Sequence, residues 1–215
     1  MKYFLLKGAS SRKDVGRYPQ TKLPDDYPLE RLHNATGRYT LTNDYFPDIE
    51  PELLCELHPK SKLTDVLSIG NISANGLFIS QRFRDLLLKF DLMESQFYLG
   101  KLITQENELD YYWFHPIGEG LGIDFSKTVF KDDSGNENIR INQLKDSIDF
   151  AEDKNIILGL QKIYFNENFK KLDLFFIPFF QYVGDFFISE RLKDAIIKNK
   201  ISGIVITEQN IIDNF

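Results

Sequence analysis

The side chains of this sequence that are best suited to acid–base or metal chemistry are its three histidines, His33, His58 and His115. No two of them have the His-x-x-x-His spacing that places two metal ligands on one face of a helix. The single cysteine, Cys55, has no second thiol with which to form a metal site or an intramolecular disulfide. We therefore expect no bound metal.

One alternative places a catalytic site at His115, near Asp110 and Asp124. His115 can act as a general base only if the fold forms a cleft around it. This alternative would make the protein a small hydrolase or transferase, and it requires a deep pocket that holds His115 and a second titratable group. A lone histidine is more often packed in the core or exposed on the surface.

Two further patterns resemble catalytic motifs but do not match them. Gly118, Gly120 and Gly122 form a Gly-x-Gly-x-Gly turn before a predicted strand, whereas the dinucleotide-binding fingerprint precedes a helix. Ser80 and Ser189 lie outside any Gly-x-Ser-x-Gly sequence, and the chain contains no Walker sequence. The sequence therefore predicts neither a cofactor nor an enzyme.

The acidic pairs Asp25-Asp26 and Asp132-Asp133 have the chemistry for acid–base or metal work. Both pairs lie in turn-like segments, where aspartate is common because its side chain bonds to the nearby backbone. We interpret them as solvated turns.

A segment near the C-terminus repeats an earlier one without gaps. Residues 78–89 and 187–198 share Phe, Ile, Ser, Arg, Asp and Lys at equivalent positions. In each copy, β-forming residues precede a serine, Ser80 or Ser189, that can cap a helix by accepting a hydrogen bond from the first turn. Apolar residues then recur at helical spacing. The pattern predicts two similar strand–Ser-cap–helix units, the second of which ends at Gly203.

The fold class that these patterns predict is α+β, with a mostly antiparallel or mixed sheet and a few short helices. Residues 1–62 open with a strand at 3–7 and are then rich in proline and turns, so we expect a loop-rich segment that wraps the core in extended form. Residues 63–215 form the α+β core, and the two parts make one compact domain. Further predicted strands span 97–104, 110–117, 123–130, 156–165 and 172–180, and a predicted helix spans 142–152.

Composition limits the functions that are open to the chain. Its 215 residues are 42% hydrophobic and carry a net charge of −6. The chain can therefore bury a core, and it is a poor candidate for a general nucleic-acid binder. No apolar run approaches the ~18 residues that span a bilayer, and nothing at the N-terminus resembles a signal peptide. We expect a cytoplasmic protein with no nucleic-acid or membrane partner.

The C-terminal block resembles that of a known family. Residues 187–193, Phe-Ile-Ser-Glu-Arg-Leu-Lys, lead into residues 201–204, Ile-Ser-Gly-Ile, as in a bacterial family first catalogued as a domain of unknown function. Residues 123–130 and 45–49 look like its central strand and its N-terminal lead. Members of that family are read as immunity proteins of polymorphic toxin systems. The resemblance implies that this protein binds a cognate toxin and keeps it inactive in the producing cell.

The resemblance identifies no binding residues, because the shared residues are typical of a core and of helix caps. We expect a monomer whose acidic and aromatic surface binds the toxin, with faster association if the toxin is basic. A structural module that self-associates through its aromatic strands is a further alternative. The candidate partner-binding residues are Asp48, Glu50, Glu52, Tyr111, Tyr112, Asp132, Asp133 and Glu137.

Overall fold

The computed structural model describes residues 1–27, 46, 53–70, 76–117, 121–131, 139, 141–143, 146, 159–177 and 185–212. These residues contain twelve strands and three helices, numbered here in chain order. The strands are β1 Tyr3–Gly8, β2 Thr21–Lys22, β3 Leu53–Leu57, β4 Val66–Leu67, β5 Leu77–Ser80, β6 Ser95–Ile103, β7 Glu108–Pro116, β8 Val129–Lys131, β9 Gly159–Lys162, β10 Leu174–Phe175, β11 Phe186–Ser189 and β12 Ile204–Glu208. The helices are α1 Arg12–Val15, α2 Gln81–Leu87 and α3 Glu190–Lys198.

The strands form three sheets. A four-stranded sheet has the order β10-β11-β1-β12, a six-stranded sheet has the order β2-β3-β6-β7-β5-β4, and β8 pairs with β9. Every pairing between these strands is antiparallel except that of β3 with β6. The predicted α+β class, with mostly antiparallel sheets and a few short helices, is confirmed.

Two groups of four strands repeat one arrangement. The first half consists of β4, β5, β7 and β6 in spatial order, and the second half consists of β10, β11, β1 and β12. A helix, α2 or α3, directly follows the second strand of each half. The register also matches, because Ser80 lies opposite Tyr111 in the first half and Ser189 lies opposite Tyr3 in the second. The two predicted strand–Ser-cap–helix units are confirmed, and their likeness extends to four strands in each half.

The halves differ in the origin of one strand. In the first half, β7 follows β6 along the chain and pairs with it. Its counterpart in the second half is β1, which comes from the start of the chain and lies between β11 and β12. The strand predicted at residues 3–7 is therefore confirmed, and it is a central strand of its sheet.

Both helices begin at the predicted caps. The hydroxyl of Ser80 accepts a hydrogen bond from the Phe83 N–H at 3.3 Å, and that of Ser189 accepts one from the Leu192 N–H at 3.1 Å. Each serine has the extended backbone conformation of an N-cap residue. The serines therefore mark the change from strand to helix in both halves.

The end of α3 differs from the prediction. Lys200, not Gly203, is the residue with left-handed backbone just after the helix, at φ 52°. The N–H groups of Lys200 and Ile201 donate to the carbonyls of Ile197 and Ile196 at 3.0 and 3.2 Å, the pattern of a Schellman cap. Gly203 has φ 81° for another reason, since a Cβ atom there would lie 2.2 Å from the carbonyl oxygen of Val66.

The six-stranded sheet separates two hydrophobic clusters. Because side chains alternate along a strand, Ile79 and Phe114 face the larger cluster while Phe78 and Trp113 face the smaller one. The larger cluster also contains Phe186 of the four-stranded sheet, and the ring centroids of Phe114 and Phe186 are 5.7 Å apart. The two halves therefore share one main core.

One predicted strand is wrong and several predictions lie outside the described residues. Residues 125–127 form a turn within the strand predicted at 123–130. Asp124 closes this turn, because its carboxylate accepts from the Ser126 hydroxyl at 2.6 Å and its carbonyl accepts from the Thr128 N–H at 3.0 Å. Most of the helix predicted at 142–152 lies outside the described residues, as do Gly118 and Gly120.

The caps give a first testable prediction. Replacing Ser80 or Ser189 with alanine should lower the free energy of unfolding by about 1 kcal/mol, because an N–H of the first helical turn loses its acceptor. The loss should be greater at Ser189. This residue is 1% exposed, so removal of its hydroxyl leaves more buried groups unsatisfied. Urea unfolding of both variants measures the change. The exposed Ser10→Ala is the control, and equal stability of all three variants would contradict the assignment.

Candidate functional site

The Asp65 carboxylate accepts hydrogen bonds from three residues in two parts of the chain. It accepts from the Ser80 hydroxyl at 2.8 Å, from the Arg82 Nε at 3.1 Å and from the Ser202 N–H at 2.8 Å. The Arg82 Nη2 also donates to it, which makes the arginine contact bidentate. We call Asp65, Ser80 and Arg82 the first clasp.

Asp173 makes the corresponding contacts in the second half. Its carboxylate accepts from the Ser189 hydroxyl at 2.5 Å, from the Arg191 Nε at 3.2 Å and from the Asp91 N–H at 3.0 Å. The Arg191 Nη2 completes a bidentate contact here as well. We call Asp173, Ser189 and Arg191 the second clasp. The two clasps repeat the same donors in the same order.

Each arginine also reaches the far end of the other helix. Arg82 at the start of α2 donates to the carbonyls of Asn199 and Lys200, just after α3, at 3.4 and 3.3 Å. The guanidinium of Arg191 at the start of α3 lies 5.2 Å from the ring centroid of Phe90, just after α2. The start of each helix thus contacts the end of the other, so the two helices are antiparallel.

Both aspartates are held ionised. Burial alone would raise the pKa of Asp65, but hydrogen bonds from Arg82, Ser202 and Ser80 outweigh burial, so that this pKa lies below its usual value. The pKa of Asp173 is lowered against burial in the same way, chiefly by Arg191. The side chains of Asp65 and Asp173 are only 7% and 1% exposed, and their oxygens already accept several hydrogen bonds. Their role is therefore structural.

Sequence reasoning found the serines of the clasps but missed the aspartates. The available signal was an arginine two residues after each capping serine, Arg82 and Arg191, together with one aspartate at nearly the same distance before each serine. The aspartates lie outside the ungapped repeat, so the repeat alone did not identify them.

Tyr111, one of the predicted partner-binding residues, lies in the core. It is 4% exposed, and its hydroxyl donates to the Thr64 carbonyl at 2.7 Å. Burial, and then the nearby Asp65 carboxylate, raise the pKa of Tyr111 above its usual value. Its counterpart Tyr3 is 1% exposed, and burial raises its pKa too. Both tyrosines pack beside the clasps and take no part in a surface.

Tyr112 lies on the opposite face of β7 and is partly exposed. The Arg84 guanidinium lies 4.5 Å from its ring centroid, and its hydroxyl donates to the Gln81 side chain at 3.3 Å. Leu99, opposite Tyr112 in the register, is 43% exposed. The other predicted partner-binding residues, Asp48, Glu50, Glu52, Asp132, Asp133 and Glu137, lie outside the described residues.

His115 and Asp110, two residues of the catalytic alternative, do not come together. His115 is 0% exposed, and its ring lies against Phe46 and Tyr98, each at 5.8 Å between centroids. Asp110 lies five residues earlier on the same strand, a separation of about 17 Å with the two side chains on opposite faces. The carboxylate of Asp124 is 3.2 Å from Lys127. The described residues also contain no group of three histidine, cysteine or acidic side chains placed to hold a metal ion.

The family assignment comes from a comparison with known protein families. Residues 72–212 match the family described as Immunity protein 43, and this is about two thirds of the chain. The chain belongs to the Immunity protein 43 family. The resemblance of the C-terminal block to an immunity-protein family is thereby confirmed. The matched residues include Arg82 and the whole second clasp, whereas Asp65 precedes them. A comparison with curated proteins gives no match.

A separate observation concerns membranes. The longest helix in the described part of the chain, α3, has nine residues. No helix there is both long and apolar enough to cross a bilayer.

The clasps give a second testable prediction. Asp173→Asn should lower the free energy of unfolding by about 1–3 kcal/mol at neutral pH, because Ser189 and Arg191 lose a charged acceptor. The loss should stay below that of a fully buried ion pair, since the Arg191 side chain is 62% exposed and remains hydrated. Asp194→Asn makes the same charge change at an exposed site on α3 and is the control.

The same variants give a pH dependence with a defined sign. A carboxyl group whose pKa is lowered by folding adds stability above its unfolded pKa of ~3.9, and this stability is lost as the pH falls through the lower folded pKa. The stability difference between wild type and Asp173→Asn should therefore be complete at pH 6–7 and shrink below about pH 4. Urea unfolding across this range measures it. A difference that stays constant with pH would contradict the lowered pKa.

Proposed function

We propose that this protein is an immunity protein that binds a cognate bacterial toxin and neutralises it through a protein–protein interface in the cytoplasm. The observation that carries the proposal is the match of residues 72–212 to the Immunity protein 43 family. The matched region includes β5 to β12 and both helices that follow the capping serines. It therefore contains most of the framework that holds the two halves together.

The fold supports inhibition by surface contact. Binding is tighter when the surface is already ordered before the partner arrives, because less conformational entropy is lost on association. The two clasps tie each helix to its own sheet and to the end of the other helix, which orders the surface around them. The most reactive candidate side chain, His115, is buried within the core and so offers no support for a catalytic alternative.

The charge of the chain supports a basic toxin. The net charge is −6, and complementary charge raises the rate at which two proteins meet. Fast association is an advantage to an inhibitor, because the inhibitor must bind its toxin before the toxin acts. On this proposal, the association rate should fall as salt concentration rises.

The sheet edges support a monomeric inhibitor. Three of the four edges of the two larger sheets are β2, β4 and β10, and each has only two residues. Short edge strands offer few unpaired backbone groups to a second copy of the chain. Self-association through these three edges is therefore disfavoured.

Co-expression tests the proposed function. The product of the open reading frame immediately upstream should arrest growth when it is expressed alone, and co-expression of this protein should restore growth. The two proteins should co-purify as a stable complex, and this protein alone should elute as a monomer in size-exclusion chromatography. Expression with an empty vector is the control. A harmless upstream product, or restored growth without a complex, would contradict neutralisation by binding of that product.

A further inference from the structure

The outer part of the β6–β7 pair presents a mixed apolar and charged face. Directly opposed residues of neighbouring strands lie on the same face of a sheet, and three such pairs follow one another here. These pairs are Leu99 with Tyr112, Lys101 with Asp110, and Ile103 with Glu108. Leu99, Glu108 and Asp110 are exposed, and the other three are partly exposed. We call these six residues the open face.

The second half offers an internal comparison for this face. The counterpart of Tyr112 is Phe4, because Phe4 follows Tyr3 as Tyr112 follows Tyr111. Phe4 is only 6% exposed. The ammonium groups of Lys193 and Lys2 lie 3.9 and 4.9 Å from its ring centroid. The four-strand arrangement is therefore compatible with a covered ring at this position.

The residue opposite each ring also differs between the halves, apolar in the first and charged in the second. Leu99 lies opposite Tyr112, whereas Glu208 lies opposite Phe4. Glu208 forms an ion pair with Lys2 at 2.9 Å, so the second half places a salt bridge where the first half exposes a leucine. The first half thus has an exposed apolar residue that its own fold does not require.

Arg84 packs against the ring of Tyr112, as its counterpart Lys193 packs against Phe4. Its guanidinium carbon lies 5.8 Å from the Phe97 ring centroid and 4.5 Å from that of Tyr112. The Arg84 Nε is buried and has no hydrogen-bond partner in the described part of the chain, because the aromatic rings occupy its surroundings. Tyrosine and arginine are the residue types most often found in binding hot spots. The stacked pair gives the open face a rigid aromatic anchor.

The charges around this anchor are mainly negative. Glu106, Glu108 and Asp110 are exposed at the far end of the β6–β7 pair, and Lys101 is the only cation of residues 95–116. Lys101 lies 2.7 Å from Asp110 and 3.2 Å from Glu108. One ammonium shared between two carboxylates leaves net negative charge on the rim. A partner with basic side chains around an apolar one is complementary to this pattern.

Two more of the exposed apolar residues, Leu88 and Ile197, show no such difference between the halves. Leu88 and Ile197 follow Ser80 and Ser189 at the same interval and are 55% and 62% exposed. Their exposure accompanies the helix in both halves, so it gives no reason to assign binding to one half. At Tyr112, by contrast, the first half leaves partly exposed a ring whose counterpart Phe4 is buried, and at Leu99 it exposes a leucine where the second half has the charged Glu208.

We propose that the open face is the surface that docks on the toxin, with Leu99 and Tyr112 as its main apolar contacts. The partner contributes an apolar side chain to these two residues and lysine or arginine side chains to Glu108 and Asp110. This inference rests on the proposed function. It adds to that function the surface that binds the toxin and the chemistry of the complementary toxin surface.

The test uses the upstream gene product as the probe, purified from the complex under denaturing conditions and refolded. Leu99→Arg places a bulky cation beside Tyr112 on the open face and should raise the Kd at least about 30-fold, the loss expected at a hot spot. Tyr112→Ala should raise it similarly. Glu208→Arg introduces the same side chain at the counterpart position of the second half and should leave the Kd within about 3-fold of wild type.

A charge variant tests the rim separately. Glu108→Lys should lower the association rate and weaken its dependence on salt, with a smaller effect on dissociation. Thermal unfolding of each variant establishes that it is folded before its Kd is compared, and Leu99→Arg should be well tolerated because Leu99 is 43% exposed.

The outcomes distinguish failure of the proposed binding surface from failure of the proposed function. Weakened binding by folded Leu99→Arg with unchanged binding by Glu208→Arg supports the open face. Wild-type affinity of folded Leu99→Arg overturns the open face and leaves toxin binding intact. No binding of the probe by the wild-type protein overturns the proposed function, and the open face with it.

Discussion

The hydrogen bonding of two buried aspartates is the interaction on which the two halves of this protein depend. A buried carboxylate is costly unless several donors compensate it, and Asp65 and Asp173 each receive donors from a capping serine and from an arginine two residues later. One carboxylate thereby fixes a strand, a helix start and an arginine together. Each arginine also contacts residues just after the end of the opposite helix.

The sequence predicted the local parts of this arrangement better than the long-range ones. Ser80 and Ser189 were recognisable as caps because the signal lies within a dozen adjacent residues. The pairing of β1 with β11 and β12 joins residues nearly two hundred positions apart, and no local pattern encodes such a pairing. The turn at Asp124 was missed because its apolar neighbours imitate the alternation of a strand, whereas side-chain hydrogen bonds decide the backbone there.

The candidate surface was predicted only in part for a related reason. Composition indicated an acidic and aromatic partner-binding surface, and Tyr112 is partly exposed on the face of β7 opposite to Tyr111. Adjacent residues of a strand lie on opposite faces of the sheet. Tyr111 is therefore buried beside Asp65, although nothing in the sequence distinguishes it from Tyr112. Choosing between them requires the register of β5, β6 and β7, which sets the side of the sheet that each residue occupies.

The position of β1 has a consequence for how the chain is made. Tyr3–Gly8 leaves the ribosome well before both neighbours of this strand, Phe186–Ser189 and Ile204–Glu208. The first half has all four of its strands within residues 66–116 and can pair them while translation continues. The second half can close only after translation passes residue 208, so its assembly is expected to follow that of the first half and to be the slower of the two.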